Sequence, residues 1–368
     1  QLRGISLPGR IWERDVLPLR LARYEPAELE ALCQSGELVW IGDGGTDPRR
    51  GRMRFIFRGE GRLYLPAGPP SPDALSTPAR AVHDLLQAEG ALFFSDMHTA
   101  LGLSADALEQ ALLELVLDGW VTSDSLEAMR YIVGTGRTEP RRDSPAPRSW
   151  STLEAQLRER GGGPALRGAR DKPGPARYRA ARRRVAERLG LSPAAAHPRR
   201  SPLHAGRWSV GYRLGIMGRD VPPEERTARQ ARQLLQRWGV VTRDIIDIEE
   251  GAWDWGAIFA LLRLMEMRGE VRRGYFVEGL AGVQFALPAA VEPLRARRDA
   301  PTDEEDAPVV LNAADPANLY GGTLADGPLA AGGAPLTFSR LPSTWLVQRH
   351  GRPVLVAHGA GTGIVTVQ

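Results

Sequence analysis

The stretch from Glu225 to Leu287, ERTARQARQLLQRWGVVTRDIIDIEEGAWDWGAIFALLRLMEMRGEVRRGYFVEGLAGVQFAL, constrains the fold more than any other part of the chain. Leu234, Leu235 and Trp238 lie on one face at helical spacing, and Gly239 stops that helix. Ile245, Ile246 and Ile248 form a short second apolar element. Ile258, Leu261, Leu262, Met265 and Met267 mark a third amphipathic helix, ended by Arg268-Gly269. VRRGYFVEG and VQFAL then read as two short strands. Three helices closed by a hairpin form a winged helix, a variant of the helix-turn-helix design that binds nucleic acid.

Periodicity alone fits any small helical domain with a hairpin, but the block recurs. His83-Asp84-Leu85-Leu86-Gln87 and Arg232-Gln233-Leu234-Leu235-Gln236 both end in LLQ, and Gly90 and Gly239 each follow three residues on. The third helices end LLELVLDGWV, LLRLMEMRGEV and, near the start of the chain, LEALCQSGELV. An internal repeat of one supersecondary unit sets the reading of everything else. The expected fold is therefore α+β: tandem winged-helix modules, then a small C-terminal β-barrel or sheet. Residues 1–70 read as a partial module (third helix and wing), 71–136 as a complete one and 208–300 as another. Residues 137–207, rich in Arg, Gly and Pro, read as a linker with short ordered pieces such as Trp150 to Arg158; its run Arg182-Arg183-Arg184 suits either phosphate contact or a solvated linker. From 301 to 368 short strands and turns follow, with a hairpin turn at His350-Gly351-Arg352-Pro353.

Cys33 is the single cysteine, so disulfides within the chain and cysteine-based zinc sites are excluded. Beside Leu29 and Leu32 it reads as a packing residue. No apolar run of about 18 residues marks a membrane span, and no signal peptide is evident; a reduced, cytoplasmic setting is expected. The chain begins with Gln1 rather than Met, so it is expected to be part of a longer protein. The basic residues are arginine except for Lys172, and the net charge of +4 is modest, so any nucleic-acid role falls to local patches.

The chain lacks a Walker loop, a His-Glu-x-x-His pair and a Gly-x-Ser-x-Gly elbow. No metal ligand set and no cofactor are expected in this segment. What remains is basic hairpins. Arg52 and Arg54 lie on one, and Arg272 and Arg273 lie beside Tyr275 and Phe276 on another. Wing arginines with neighbouring aromatics can clamp phosphates and stack on bases, although Tyr275 and Phe276 would serve equally as packing residues. Trp208 either packs or, with Arg207, meets a nucleic-acid backbone or base. Asp315, in LNAADPANLYGG, is the one candidate catalytic carboxylate, although Asp-Pro commonly just starts a turn and no partner acid or base is identifiable.

The stretches RRGYFVEGLAGVQFALPAAVEPLR, LLRLMEMRGEV, GRWSV at 206–210, ADPANLYGG at 314–322 and LPLRLARYEPAELEALCQSGELVWIG resemble the C-terminal region of the large helicase-related (Lhr) bacterial DNA repair proteins. The resemblance covers nearly the whole chain and is weakest over 134–200. It implies tandem winged helices placed after an ATP-dependent 3′-to-5′ helicase motor that would precede Gln1, with ATP and magnesium confined to that motor. It further implies contact with DNA, single-stranded or damaged duplex, with the N-terminal helicase core and with further copies in a homo-oligomer, in a nucleoid-associated cytoplasmic setting. The arrangement is also similar to AlkZ/YcaQ-type winged-helix DNA glycosylases. Those use a Gln-x-Gln or Gln-x-Asp pair, for which Gln284-Phe285-Ala286 is the nearest stretch and does not fit. The Asp315-Pro316 pair resembles an Asp-Pro of that group. Three functions are therefore expected in competition: a DNA-binding and assembly module, a glycosylase excising uracil or an alkylated base, or a scaffold whose winged helices pack on each other without touching DNA.

Overall fold

The computed structural model describes residues 1–44, 47–66, 68, 71–134, 201–249, 251, 253–299, 307–321 and 336–367. The described residues up to 134 and from 202 onward form one unit. Trp150 to Arg158 and Arg182 to Arg184 lie outside the described residues.

The first module opens with β1 (Leu7–Pro8) and two single turns of helix over residues 9–16. It continues with α1 (Pro26–Gln34), β2 (Leu38–Gly42) and β3 (Arg52–Phe57), followed by a one-turn helix, α2 (Gly61–Tyr64). It therefore holds more of the design than a third helix and wing, since β1 and the turns over 9–16 precede α1. The second module runs α3 (Thr77–Glu89), β4 (Leu92–Phe93), α4 (Phe94–Leu101), α5 (Ala105–Leu117), β5 (Val121–Ser123) and α6 (Leu126–Ile132). Its third strand is β6 (Arg207–Val210), which pairs antiparallel with both β4 and β5. The boundary expected at 208 thus falls inside a strand: Arg207–Val210 completes the second sheet and does not begin the third module. The backbone groups of β4 and β5 require a partner between them, and this strand supplies it.

A short α7 (Leu214–Met217) leads into the third module. That module comprises α8 (Pro223–Trp238), β7 (Val240–Val241), α9 (Arg243–Ile248), α10 (Trp255–Met267), β8 (Arg272–Gly274) and β9 (Gln284–Ala286), with α11 (Pro288–Asp299) behind it. The sheet orders β1-β3-β2, β4-β6-β5 and β7-β9-β8 are the same pattern: the first strand pairs with the last, and the last with the middle. The helix ends agree as well. The glycine after each third helix, Gly36, Gly119 and Gly269, has φ 77°, 75° and 74°, a left-handed turn that a side chain would oppose. The starts are capped by side chains. Ser76 accepts from the Ala79 amide, Ser104 from Ala107, Thr242 from Ile245 and Asp254 from Ala257.

Modules one and two share one core, in which Trp12, Trp40 and Trp208 are almost wholly buried. Their sheets meet closely: the Thr122 hydroxyl donates to the Trp40 carbonyl at 2.6 Å, and a Cβ on Gly42 would sit 1.8 Å from the Val116 carbonyl oxygen. Module three has its own core around Leu234, Ile258, Leu262 and Phe285. It is tied to module one through the Gln230 amide, which donates to the Leu63 carbonyl at 3.0 Å, and through Arg237, whose guanidinium pairs with Glu249 and also donates to the Arg3 and Gln1 carbonyls.

The C-terminal region is β10 (Val309–Asn312), β11 (Trp345–Arg349), β12 (Arg352–His358) and β13 (Gly363–Thr366), an antiparallel sheet in that order. Of the barrel or sheet that the sequence suggested, the described residues form the sheet, open between β10 and β13. Four strands of four to seven residues cannot curl far enough to bring β13 back to β10. Among the described residues no helix is long and apolar enough to cross a membrane, and no group of three or more His, Cys, Asp or Glu could hold a metal ion.

Candidate nucleic-acid interface

The third module's hairpin is the most open of the basic sites. β8 places Arg272 opposite Ala286 and Arg273 opposite Phe285. The loop between β8 and β9 is held by one buried side chain. Gln284 Oε1 accepts from the Phe276 and Val277 amides at 2.8 and 2.9 Å, while its Nε2 donates to the Val277 and Leu280 carbonyls at 2.8 and 3.1 Å. All four hydrogen-bonding positions of that amide are used, so the loop is fixed from inside. The loop is also pinned from α9, where the Asp244 carboxylate accepts from the Ala281 amide at 3.1 Å. Phe276 and Val277 fold against the small core of Val240, Ala286 and Val291, whereas Tyr275 stands 90% exposed. An exposed tyrosine ring on a fixed loop has no packing role to perform. Of the two aromatic neighbours, Phe276 packs and Tyr275 does not.

Of the two arginines on this hairpin, Arg273 pairs with Glu266 of α10 at 3.1 Å, both partly exposed. The Arg272 side chain is exposed and makes no hydrogen bond or ion pair among the described residues. An exposed pair such as Arg273–Glu266 is worth only about 0.2–1 kcal/mol and yields readily to a phosphate.

The first module's basic strand is different. Arg54 is 3% exposed, forms an ion pair with Asp43, and donates to the Gly4 and Tyr64 carbonyls at 3.1 and 3.4 Å. Burial would lift the Asp43 carboxyl, but the Arg54 guanidinium outweighs it and, with Ser6, holds Asp43 below its ordinary value. Arg52 donates to the Ser6 hydroxyl at 3.0 Å and to its carbonyl at 2.6 Å. Both arginines staple the N-terminal segment to β3 and do not form an outward basic tip. Alternation failed here because β3 is covered on both faces: Met53 and Phe55 on one side, and Arg54 and Ile56 against residues 61–65 and 214–217 on the other.

Trp208 is wholly buried, edge-on to Trp40 at 6.4 Å, with its indole N–H donating to the Leu203 carbonyl at 3.0 Å. It is a core residue and offers no face to a polyanion. Arg207, next to it, points to the surface and is held by Asp124 at 3.0 Å. Asp315 is 1% exposed. Its two oxygens accept from Arg20 at 2.7 and 2.8 Å, and Oδ1 also accepts from the Ala317 amide at 2.7 Å. The sequence showed no partner for Asp315 because that partner, Arg20, lies in the first module. Beside the pair lies a cavity of about 270 Å³ lined by Gln1, Leu2, Arg237, Trp238 and the turn residues Pro316 and Ala317. The structure does not gather the candidate residues into one site: Arg272, Arg273 and Tyr275 share a hairpin, and the others are dispersed. Sequence reasoning missed Gln284 and Arg20, and a polar residue inside an apolar strand, VQFAL, was the one available signal for the first.

Residues 1–58 match the third, and residues 220–306 the fourth, winged-helix domain described for the large helicase-related protein. A curated relative from Mycolicibacterium smegmatis named "Lhr helicase/ probable uracil glycosylase" is 31% identical over 366 residues, covering 96% of this chain and 22% of its own length. One from Escherichia coli named "Lhr helicase/uracil glycosylase" is 28% identical over 335 residues, covering 88% of this chain and 19% of its own. The chain thus spans about a fifth of the length of the curated relatives it matches. With three sheets of one topology and two domains matched in the family's order, the chain belongs to the large helicase-related family.

Proposed function

We propose that this chain is the DNA-engaging part of a helicase-related repair protein, with the third module's hairpin as the contact and a motor using ATP and magnesium elsewhere in the protein. The observation that carries the reading is the pairing of an unpartnered Arg272 with a 90% exposed Tyr275 on a loop locked by Gln284. Arginine supplies a fork for phosphate, and the tyrosine ring supplies a stacking platform that accepts any base. The word helicase in the names of the relatives supports a helicase-linked role; a nucleoid-associated cytoplasmic setting and assembly with further copies are proposed alongside it. The test is fluorescence anisotropy with a single-stranded oligonucleotide across a salt series. Arg272→Ala with Tyr275→Ala is expected to weaken binding at least about tenfold, since stacking alone contributes about 1–3 kcal/mol per base. The salt slope should fall by about one. Unchanged affinity and slope would refute the hairpin as the contact.

A second reading, base excision, is favoured by one specific observation: the cavity beside Asp315 and Arg20, together with the uracil glycosylase in the relatives' names. A flipped base would reach the mouth of that cavity, lined by Arg20, whose guanidinium the buried Asp315 carboxylate holds in place through both of its oxygens. Uracil-containing oligonucleotide should then yield abasic sites with the parent chain and none with Asp315→Asn; no product from the parent chain ends this reading.

A further inference from the structure

Apart from the hairpin, a cavity of about 240 Å³ lies where the C-terminal end of α1 and the strand β2 meet the second module's sheet. Three guanidiniums line it: Arg58 after β3, Arg207 on β6 and Arg213 just before α7. The only carboxylate among its lining residues is Asp124. That carboxylate is fully engaged with residue 207, accepting from the guanidinium Nε at 3.0 Å and from the backbone amide at 2.6 Å. Among its lining residues, three guanidiniums against one carboxylate leave an excess of two positive charges. Arg58 donates Nε to the Gly36 carbonyl, which fixes its head at the rim. Arg213 Nε is buried and has no hydrogen-bond partner among the described residues. Burial, then the charges of Arg58 and Arg207, pull Arg213 below its ordinary value.

A guanidinium with a buried, unsatisfied N–H beside two like charges is unfavourable unless an anion completes the set. The walls also carry Ser35, Ser123 and Ser209. The volume is below the roughly 300 Å³ at which sites for drug-sized ligands begin, so the cavity suits a single small anionic group rather than a whole nucleoside. Tetrahedral oxyanions match convergent guanidinium forks.

We propose that Arg58, Arg207 and Arg213 form a phosphate-binding site between the first and second modules, independent of the third module's hairpin. The phosphate belongs either to a nucleic-acid backbone or to a small free phosphate. In either case the ligand bridges two modules, because Arg58 belongs to the first and Arg207 to the second.

The experiment uses the whole chain and compares the parent with Arg213→Gln, Arg58→Gln and a control, Arg263→Gln, on the exposed face of α10. Melting is followed with added inorganic phosphate and with chloride matched in ionic strength, and oligonucleotide binding is followed by anisotropy. Phosphate should raise the melting temperature of the parent and of the control but of neither cavity variant, or oligonucleotide affinity should fall about fivefold or more in both cavity variants and not in the control. The first outcome identifies a free phosphate as the ligand, the second a backbone phosphate; both together mean that the site takes either. In phosphate-free buffer Arg213→Gln should melt no lower than the parent, because an unpaired cation has been removed. Arg58→Gln, at the exposed rim, keeps the test open if Arg213→Gln does not fold. No difference between cavity variants and parent in either assay, or equal losses in the control, would overturn the proposal. The Arg272→Ala with Tyr275→Ala variant should keep its phosphate response, so failure of the hairpin reading and failure of this one are separable.

Discussion

Asp315 and Arg20 offer a direct measure of what joins the C-terminal sheet to the first module. Arg20 reaches Asp315 by two hydrogen bonds of 2.7 and 2.8 Å, and its Nη1 also donates to the Val16 carbonyl at 3.0 Å. The exposures differ: the Arg20 side chain is 26% accessible, the Asp315 side chain 1%. Hydrogen bonds to charged groups contribute about 1.5–3 kcal/mol net, and breaking one side of a buried pair is penalised by about 3–5 kcal/mol. Asp315→Ala leaves Arg20 able to turn to water and orphans the Ala317 amide, so about 3 kcal/mol of stability should be lost. Arg20→Ala is the harsher change. It leaves a carboxylate almost wholly out of water with only one amide donor, and the expected loss is about 4 kcal/mol or more. The double substitution should lose less than the sum, with a coupling of about 2 kcal/mol. Urea unfolding followed by tryptophan fluorescence measures all three. The reasoning is refuted if Asp315→Ala proves more damaging than Arg20→Ala, or if the coupling falls below about 0.5 kcal/mol.

Three further outcomes follow from particular contacts. Gly42→Ala should destabilise the chain by about 3 kcal/mol in the same urea assay, because its Cβ would overlap the Val116 carbonyl and β2 would have to part from the C-terminal end of α5. Asp43 titrates below its ordinary value in the fold, so its contribution is complete above about pH 4 and disappears as pH falls through the lower folded value; Asp43→Asn should therefore flatten the acid end of the stability–pH curve and leave its shape at neutral pH unchanged. Burial and then the charge of Glu30 push the Cys33 thiol up to about 12; iodoacetamide at pH 8 should leave the native chain unmodified by mass spectrometry, with alkylation appearing in urea.

The repeated block was legible because it rests on local rules. Apolar spacing marked α8 and α10, and side-chain caps and left-handed glycines marked where helices start and stop. Long-range pairing was not legible. Nothing in GRWSV tells that Arg207–Val210 joins strands more than eighty residues upstream, since any alternating strand could. The same blindness explains the basic residues. Arg54 and Arg272 look alike in sequence, each on a short strand that carries a second arginine, yet one is sealed against Asp43 and the other is open to solvent. What separates them is the second covering layer on β3, formed by residues from 61–65 and 214–217, and no local pattern reports it.

The placement of β6 has a consequence for biogenesis. Residues 124–206 lie between β5 and β6, so the second sheet lacks its middle member until that whole length has emerged from the ribosome. At about 5–20 residues per second this is a wait of several seconds, during which two open strand edges and the cavity left by the indole of Trp208 stand unfilled. The second module therefore matures after its own helices, and the shared core of the first two modules closes only when the later strand threads between its partners.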